Sequence, residues 1–226
     1  MDKQEQYHLE LSGLFRENGC LADDFQLERL ANYASLVVEK NQVINLISRK
    51  DIESIIENHI FITSFITRHI PDKFKRFIDI GTGGGFPGIP FGILRPAMKG
   101  VLVDSTQKKI GAVIEFINKL KLGNLKAESL RVESPEFIEK YKNQFDLVVS
   151  RATVPLATLI HYALPLITER SCITAIKGGD LTEEIRQAEV KFRPYIKKLT
   201  VIEMSYKPSN LRNEKGKKLI ILDFNK

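Results

Sequence analysis

The sequence has few residues of the kinds that form disulfides or hold metals. It contains only two cysteines, Cys20 and Cys172, which lie far apart along its 226 residues. This predicts free, buried thiols in a reducing compartment and not a disulfide framework. The four histidines are scattered and do not have the spacing of metal ligands. We therefore predict no metal site.

Long apolar runs are also lacking. No stretch approaches the roughly 20 residues that an apolar helix needs to cross a bilayer. The first residues, MDKQEQYHLEL, are polar and do not contain the apolar core of a secretory signal. We therefore expect a cytoplasmic protein that does not associate with membranes, and we expect it to be a monomer.

Excess charge of one sign is confined to the last third of the chain. Hydrophobic residues make up 43% and charged residues 27% of the sequence, which is typical of a soluble globular protein. Residues 1–150 contain 20 basic and 20 acidic side chains, so residues 151–226 carry the whole net charge of +6. Within them, residues 186–218 hold ten basic residues against three glutamates. This stretch is either an ordinary solvated surface or a patch that binds a polyanion.

The pattern of apolar residues divides the chain at about residue 70. Residues 1–70 predict a helical extension, with one helix capped by Asp23 or Asp24 and a second that starts at Ser48 or Asp51 and ends before Pro71. Residues 71–226 predict a Rossmann-like domain of alternating strands and helices. The predicted strands are 76–80, 100–104, 125–129, 145–150, 172–176, 197–203 and 218–224. The predicted helices are 87–95, 106–121, 135–141, 155–167 and 181–191.

Alternation of apolar strands with helices favours a mostly parallel, seven-stranded sheet covered on both faces. The last two predicted strands have no helix between them, and Gly216 comes just before the final one. We therefore expect the final strand to run antiparallel to its neighbours.

The most informative stretch is RFIDIGTGGGFPGIP, residues 76–90. A strand leads into a glycine-rich loop and then a helix, and residues 83–88 fit the pattern G-x-G-x-x-G. Asp104 follows at the end of the next predicted strand. This combination predicts a nucleotide-type cofactor above the loop, with Asp104 accepting hydrogen bonds from a ribose. The alternative for Asp104 is an ordinary helix N-cap.

Asp79, two residues before the first glycine, bears on which cofactor is bound. Its carboxylate could face an ammonium group or hold the loop through backbone N–H groups, but it would repel a pyrophosphate. This favours S-adenosylmethionine over NAD. An NAD(P)-dependent oxidoreductase stays open as an alternative, although no Tyr-x-x-x-Lys motif follows the fourth or fifth strand.

Several motifs in order resemble the RsmG (GidB) family. They are INLISRKDIESIIENHI, IDIGTGGGFPGIPFGILRP, LVDSTQKKIGAVIEFINKLKLGN, RVE, FDLVVSRATVPLATLI and ITAIKGG, which together span about residues 43–180. The resemblance implies a class I S-adenosylmethionine-dependent methyltransferase with an N-terminal helical extension. It also implies methylation of N7 of a guanine in 16S ribosomal RNA, either as free RNA or in an assembling small ribosomal subunit.

The resemblance and the loop together nominate the site residues. For the cofactor they are Gly81, Gly83, Phe86, Asp104, Val132, Glu133 and Arg151. Arg151, in the motif S-R-A, is implied to lie near the cofactor and target base, although a strand-end salt bridge is an alternative. Lys177 is a candidate second donor or RNA phosphate contact, and His59 is either an active-site group or a core-edge histidine. A protein that binds RNA or assembling ribosomes with a vestigial cofactor pocket is the non-enzymatic alternative.

Overall fold

The N-terminal part begins with two regular helices. The computed structural model describes residues 2–207 and 216–226, so Arg212, Glu214 and Lys215 of the basic stretch lie outside the described residues. Helix α1 spans Lys3–Glu17 and α2 spans Asp24–Lys40. Each starts with a reciprocal capping box, in which Asp2 bonds to Glu5 and Asp23 to Gln26. The predicted cap at Asp23 is confirmed.

The second predicted helix is wrong as a regular helix. The chain instead forms a 3-10 turn at Arg49–Asp51, a π-helix at Ile56–Phe61, a short α3 at Ile62–Phe65 and a 3-10 turn at Ile66–His69. The hydroxyl groups of Thr63 and Ser64 donate to the carbonyls of His59 and Ile60. These side-chain bonds compete with the regular backbone pattern. The helical segment does end before Pro71, as predicted.

The seven predicted strands are all present in one sheet. They are β1 Arg76–Ile80, β2 Lys99–Val103, β3 Leu125–Glu128, β4 Phe145–Arg151, β5 Ile167–Lys177, β6 Ile196–Glu203 and β7 Lys218–Asn225. Their spatial order is β3-β2-β1-β4-β5-β7-β6. Only β7 is antiparallel to its neighbours, which confirms the prediction. Strand β5 begins five residues before the predicted start because Thr168–Arg170 are polar and partly or fully exposed.

Five helices connect the strands and cover the sheet. They are α4 Gly88–Leu94, α5 Gln107–Lys119, α6 Pro135–Tyr141, α7 Leu156–Ala163 and α8 Thr182–Phe192. One apolar core includes side chains of α6, α7 and α8 with one face of the sheet. The helical extension packs on the other face, where Tyr33 and Phe61 belong to the same buried cluster as Phe77, Phe91 and Phe116. The extension is therefore a layer of this core, which places its side chains against the glycine-rich loop.

Candidate functional site

The glycine-rich loop is fastened to the neighbouring strand by its backbone. The N–H groups of Gly81 and Thr82 donate to the carbonyl of Val103 at the end of β2, at 2.9 and 3.0 Å. Gly81, Gly83 and Gly85 have φ angles of +73°, +55° and +103°, which residues with a Cβ rarely adopt. The loop therefore needs glycine at these positions, and it leaves its backbone bare at the carboxyl end of β1.

Asp79 holds this loop from below. The side chain is fully buried, and its Oδ2 accepts hydrogen bonds from the Thr82 hydroxyl at 2.6 Å and the Gly88 N–H at 2.8 Å. Burial raises the pKa of Asp79 to about 7, although these two hydrogen bonds act in the opposite direction. Of the two interpretations of Asp79, the contacts match the one in which it holds the loop.

A cavity of about 370 Å³ opens above the loop, between the carboxyl ends of the strands and the segments that follow β3 and β4. Five predicted site residues line it together: Gly81, Gly83, Asp104, Val132 and Glu133. Its size is in the range of small-molecule sites. It lies beside the β1–β4 pair, where the strand order reverses, and open α/β sheets bind ligands at such a point.

Asp104 combines both predicted roles in this cavity. Its Oδ2 accepts from the Gly83 N–H at 3.0 Å, and its Oδ1 accepts from the Thr106 N–H at 2.8 Å, just before α5. A carboxylate has about four acceptor positions, so two remain for the hydroxyl groups of a ribose. An added Cβ at Gly83 would meet no protein atom within 4 Å. The floor and one wall of the cavity therefore fit an adenosine-type group.

Sequence reasoning missed the part of the wall that follows β4. Thr153, Val154 and Tyr162 line the same cavity. Thr153 packs so closely on Gly81 that an added Cβ there would lie 2.2 Å from its methyl group. Its hydroxyl also bonds to that of Ser150 at 2.7 Å. No local pattern marks these residues, although the motif S-R-A lies beside them.

Phe86 and Arg151 do not line this cavity and instead form a neighbouring cluster. The Phe86 ring is buried between the rings of Tyr33 and His59, with centroid distances of 5.1 and 5.2 Å. The guanidinium of Arg151 lies 6.0 Å from the centroid of Phe86. The nominated residues thus fall into two adjacent groups, one on the cavity and one between the loop and the helical extension.

The second group contains a chain of polar contacts. Nη1 of Arg151 donates to Nδ1 of His59 at 3.1 Å, so the imidazole carries its proton on Nε2. That atom lies 3.5 Å from Oδ2 of Asp51. Burial, followed by the charge of Arg151, lowers the pKa of His59 to about 3, against the opposing effect of Asp51. His59 is therefore a buried, neutral histidine that also contacts the site.

The helical extension contributes a further contact that sequence reasoning missed. The buried hydroxyl of Tyr33 in α2 donates to the carbonyl of Gly84 at 2.7 Å. An added Cβ at Gly85 would lie 2.7 Å from the same hydroxyl. Tyr33 therefore fixes the middle of the glycine-rich loop from the side opposite the sheet. Its helical periodicity marked it only as a core residue.

Lys177 lies away from both groups. Its Nζ pairs with Glu184 of α8 at 2.6 Å and donates to the carbonyl of Val154 at 2.7 Å. These contacts hold the turn between β4 and α7 that forms one wall of the cavity. A contact to a target base or a phosphate would require the ammonium group to share or leave these partners, so the role of Lys177 stays a prediction.

Two further features were searched for over the described ranges, 2–207 and 216–226. No helix there is both long and apolar enough to cross a bilayer. Within the same ranges, no three histidine, cysteine or carboxylate side chains are placed to hold a metal ion together.

Comparison with known proteins identifies relatives of the whole site. A family model described as rRNA small subunit methyltransferase G (GidB) matches residues 26–211. A ribosomal RNA small subunit methyltransferase G from Chlorobium chlorochromatii is 40% identical over 189 residues, which cover 83% of this chain and 79% of the relative. The protein of the same name from Acetivibrio thermocellus is 35% identical and covers 76% of this chain and 70% of its own length.

Solved structures agree on the fold. A SAM-dependent O-methyltransferase from Thermotoga maritima aligns with a TM-score of 0.55 at 15% identity, covering 83% of this chain and 70% of that one. TYW2 from M. jannaschii, solved in complex with AdoMet, also aligns with a TM-score of 0.55 at 15% identity, covering 81% and 78% of the two chains. The fold is that of class I methyltransferases, as predicted. The extent of the family match and the identity to its members show that this chain belongs to the rRNA small subunit methyltransferase G (GidB) family.

Proposed function

We propose that this protein transfers a methyl group from S-adenosylmethionine to N7 of a guanine in 16S ribosomal RNA. The observation that carries the proposal is the cavity above the glycine-rich loop, with Asp104 in its wall and Arg151 at the same edge of the sheet. Membership of the family supports ribosomal RNA as the substrate. No contact in the site favours the oxidoreductase or the purely RNA-binding alternative.

The residues of the cavity fit the cofactor. The bare backbone of Gly81 and Gly83 would lie under it, and Asp104 would accept hydrogen bonds from the ribose hydroxyls. Val132 is buried and Glu133 exposed on the wall after β3, where they would lie beside the adenine. When bound, S-adenosylmethionine supplies an electrophilic methyl group on a sulfonium centre.

The reaction needs no general base from the protein. N7 of guanine carries a lone pair in the plane of the ring and no proton. His59 matches this requirement, because its Nδ1 lone pair already accepts a hydrogen bond from Arg151 and its Nε2 carries the proton. The task left to the protein is to hold the base in line in a site from which water is excluded.

We propose that Arg151 holds the guanine through its O6 carbonyl. A guanidinium has five N–H groups, and the contact with His59 uses one of them. Donation to O6 would steady the base as N7 becomes cationic, whereas placement beside N7 itself would oppose the reaction. Packing on Phe86 and the hydrogen bond to His59 would keep the guanidinium in one orientation.

We also propose that the protein acts as a cytoplasmic monomer on 16S RNA or an assembling small subunit. In this proposal Lys177 acts as a positioning residue through the turn that it holds, with its phosphate contact as the alternative. Size-exclusion chromatography with light scattering tests the oligomeric state. A dimeric mass would contradict that part of the proposal alone.

Two measurements test the function. Calorimetry should detect binding of S-adenosylmethionine and no comparable binding of NAD or NADP, and the absence of heat with S-adenosylmethionine would refute the proposed cofactor. Cells that lack the protein should lose one N7-methylguanine from 16S RNA, seen by mass spectrometry and as a lost borohydride–aniline cleavage. An unchanged modification pattern, with cofactor binding intact, would refute the proposed substrate.

A further inference from the structure

A second and larger cavity lies at the edge of the sheet opposite the glycine-rich loop. It has a volume of about 1100 Å³ and forms where β1, β4, β5 and β6 begin and the antiparallel β7 ends. We call it the amino-edge groove. Its charged and polar lining residues are Lys73, Asp146, Arg170, Ser171, Tyr195, Lys197, Lys198 and Asp223. It shares no lining residue with the cofactor cavity.

The cations of the groove have no ionic partners of their own. Lys73, Arg170, Lys197 and Lys198 are all exposed, and none has an ion pair within 4.0 Å in the part of the chain that the structure describes. Lys198 stands opposite Asp223 in the β6–β7 register without pairing with it. Four positive charges therefore face the groove with their hydrogen-bonding capacity available.

The carboxylates of the groove do not cancel this charge. The two oxygens of Asp146 accept the backbone N–H groups of Lys75 at 2.7 Å and Arg76 at 2.9 Å. These bonds hold its charge within the start of β1. With Asp223 as the other carboxylate, the groove keeps an excess of two positive charges. Such a surface attracts a polyanion.

A buried hydroxyl and an exposed aromatic ring point to the same class of ligand. Ser171 is only 5% exposed, yet its Oγ has no hydrogen-bond partner among the described residues. A buried polar group of this kind requires a partner, which a ligand in the groove can supply. Tyr195 is 39% exposed, and exposed aromatic rings beside cations provide stacking surfaces for unpaired bases.

We propose that the amino-edge groove binds the backbone of an unpaired stretch of ribosomal RNA, far from the methyl-transfer site. The identity of the RNA rests on the proposed function. The groove also changes the interpretation of the basic stretch 186–218. Strand β6 carries Lys197 and Lys198 at this edge, whereas Lys217 and Lys218 lie at the opposite edge, before and at the start of β7. The stretch therefore contributes to two surfaces.

The test compares Lys197→Gln/Lys198→Gln with Lys121→Gln/Lys126→Gln. The control pair removes the same charge from exposed positions next to and within β3. We expect the groove variant to weaken binding of 16S RNA by about tenfold and to reduce the slope of log affinity against log salt by about 1. Its KM for RNA should rise while kcat and the affinity for S-adenosylmethionine stay unchanged. Equal behaviour of the two variants would overturn the proposal.

Ser171→Ala provides a second test that does not depend on net charge. The Ser171 hydroxyl bonds to nothing in the described chain, so its removal should leave the urea midpoint unchanged while RNA affinity falls. Unchanged RNA affinity would overturn the role of Ser171. If the groove variants bind free 16S RNA normally and lose affinity only for the ribosomal particle, the occupant is a protein and the RNA proposal fails. Loss of cofactor binding in the unmodified chain would instead refute the proposed function.

Discussion

The guanidinium of Arg151 donates a hydrogen bond to Nδ1 of His59 across 3.1 Å and so joins the end of β4 to the π-helix of the helical extension. The site is therefore built from both parts of the chain. His59 stays neutral because its pKa is lowered to about 3, so its lone pair is available to Arg151 throughout the physiological range. The first prediction follows from this geometry.

His59→Asn and His59→Gln separate the two contacts of the imidazole. The amide oxygen of asparagine lies near the position of Nδ1 and can still accept from Arg151, whereas the longer glutamine places its amide near Nε2. We expect the asparagine variant to keep kcat within about fivefold and the glutamine variant to lose roughly 10–100-fold, because positioning is lost. Single-turnover methylation of 16S RNA measures this.

The exposed His161 provides the control, since His161→Asn should be silent. Between pH 5 and 8, neither the unmodified protein nor the asparagine variant should show a kinetic step from His59, because the folded pKa lies far below this range. Equal loss in the asparagine and glutamine variants, or a loss that appears only as lower thermal stability, would contradict the positioning role.

Gly83→Ala and Gly19→Ala are a matched pair of glycine substitutions. The two residues have φ angles of +55° and +61°, and neither would place a Cβ within 4 Å of a protein atom. Both variants should lose about 1–2 kcal/mol of unfolding free energy because of backbone strain. Only Gly83 lines the cofactor cavity. Calorimetry should therefore show a fall in S-adenosylmethionine affinity of at least about tenfold for Gly83→Ala alone. Equal affinities would place the cofactor elsewhere.

Asp104→Asn tests the ribose contact against Asp180→Asn. Both carboxylates accept a backbone N–H two residues later, but Asp180 lies outside the cavity. Hydrogen bonds to a charged group contribute about 1.5–3 kcal/mol, so we expect Asp104→Asn to weaken S-adenosylmethionine binding by roughly 10–100-fold. Asp180→Asn should not change it. If the two variants bind equally, Asp104 serves only as the turn before α5.

Features encoded by local patterns could be predicted from the sequence. The strands follow from apolar runs, and the loop follows from a glycine cluster between a strand and a helix. Asp104 follows from its position at the end of the next strand. Each of these signals lies within about 25 residues of chain, so periodicity and spacing detect it.

Contacts between distant segments could not be predicted in this way. Tyr33 meets Gly84 across 51 residues and Arg151 meets His59 across 92, and neither pair leaves a local pattern. The pairing of Lys177 with Glu184 depends on how α8 packs beside β5. The irregular segment around His59 depends on hydroxyl groups that bond to the preceding carbonyls, and its apolar spacing resembles that of an ordinary helix.

Asp79 makes stability depend on pH in an unusual direction for a carboxylate. Its pKa is raised from 3.8 in the unfolded chain to about 7 in the fold, chiefly by burial. Between these values the folded state binds the proton and the unfolded state does not, so this contribution to stability falls as pH rises from about 4 to 7. The gap corresponds to at most about 4 kcal/mol.

Asp79→Asn removes this titration with little change of shape. The amide oxygen can accept from Thr82 and Gly88 as Oδ2 does, and the amide nitrogen replaces Oδ1, which has no partner among the described residues. Urea unfolding at pH 5 and pH 8 should show that the variant gains roughly 2–4 kcal/mol relative to the unmodified protein over this interval. His59 titrates in both proteins and cancels in the difference. An equal stability difference at both pH values would mean that Asp79 is ionised in the fold throughout, with a partner for its second oxygen.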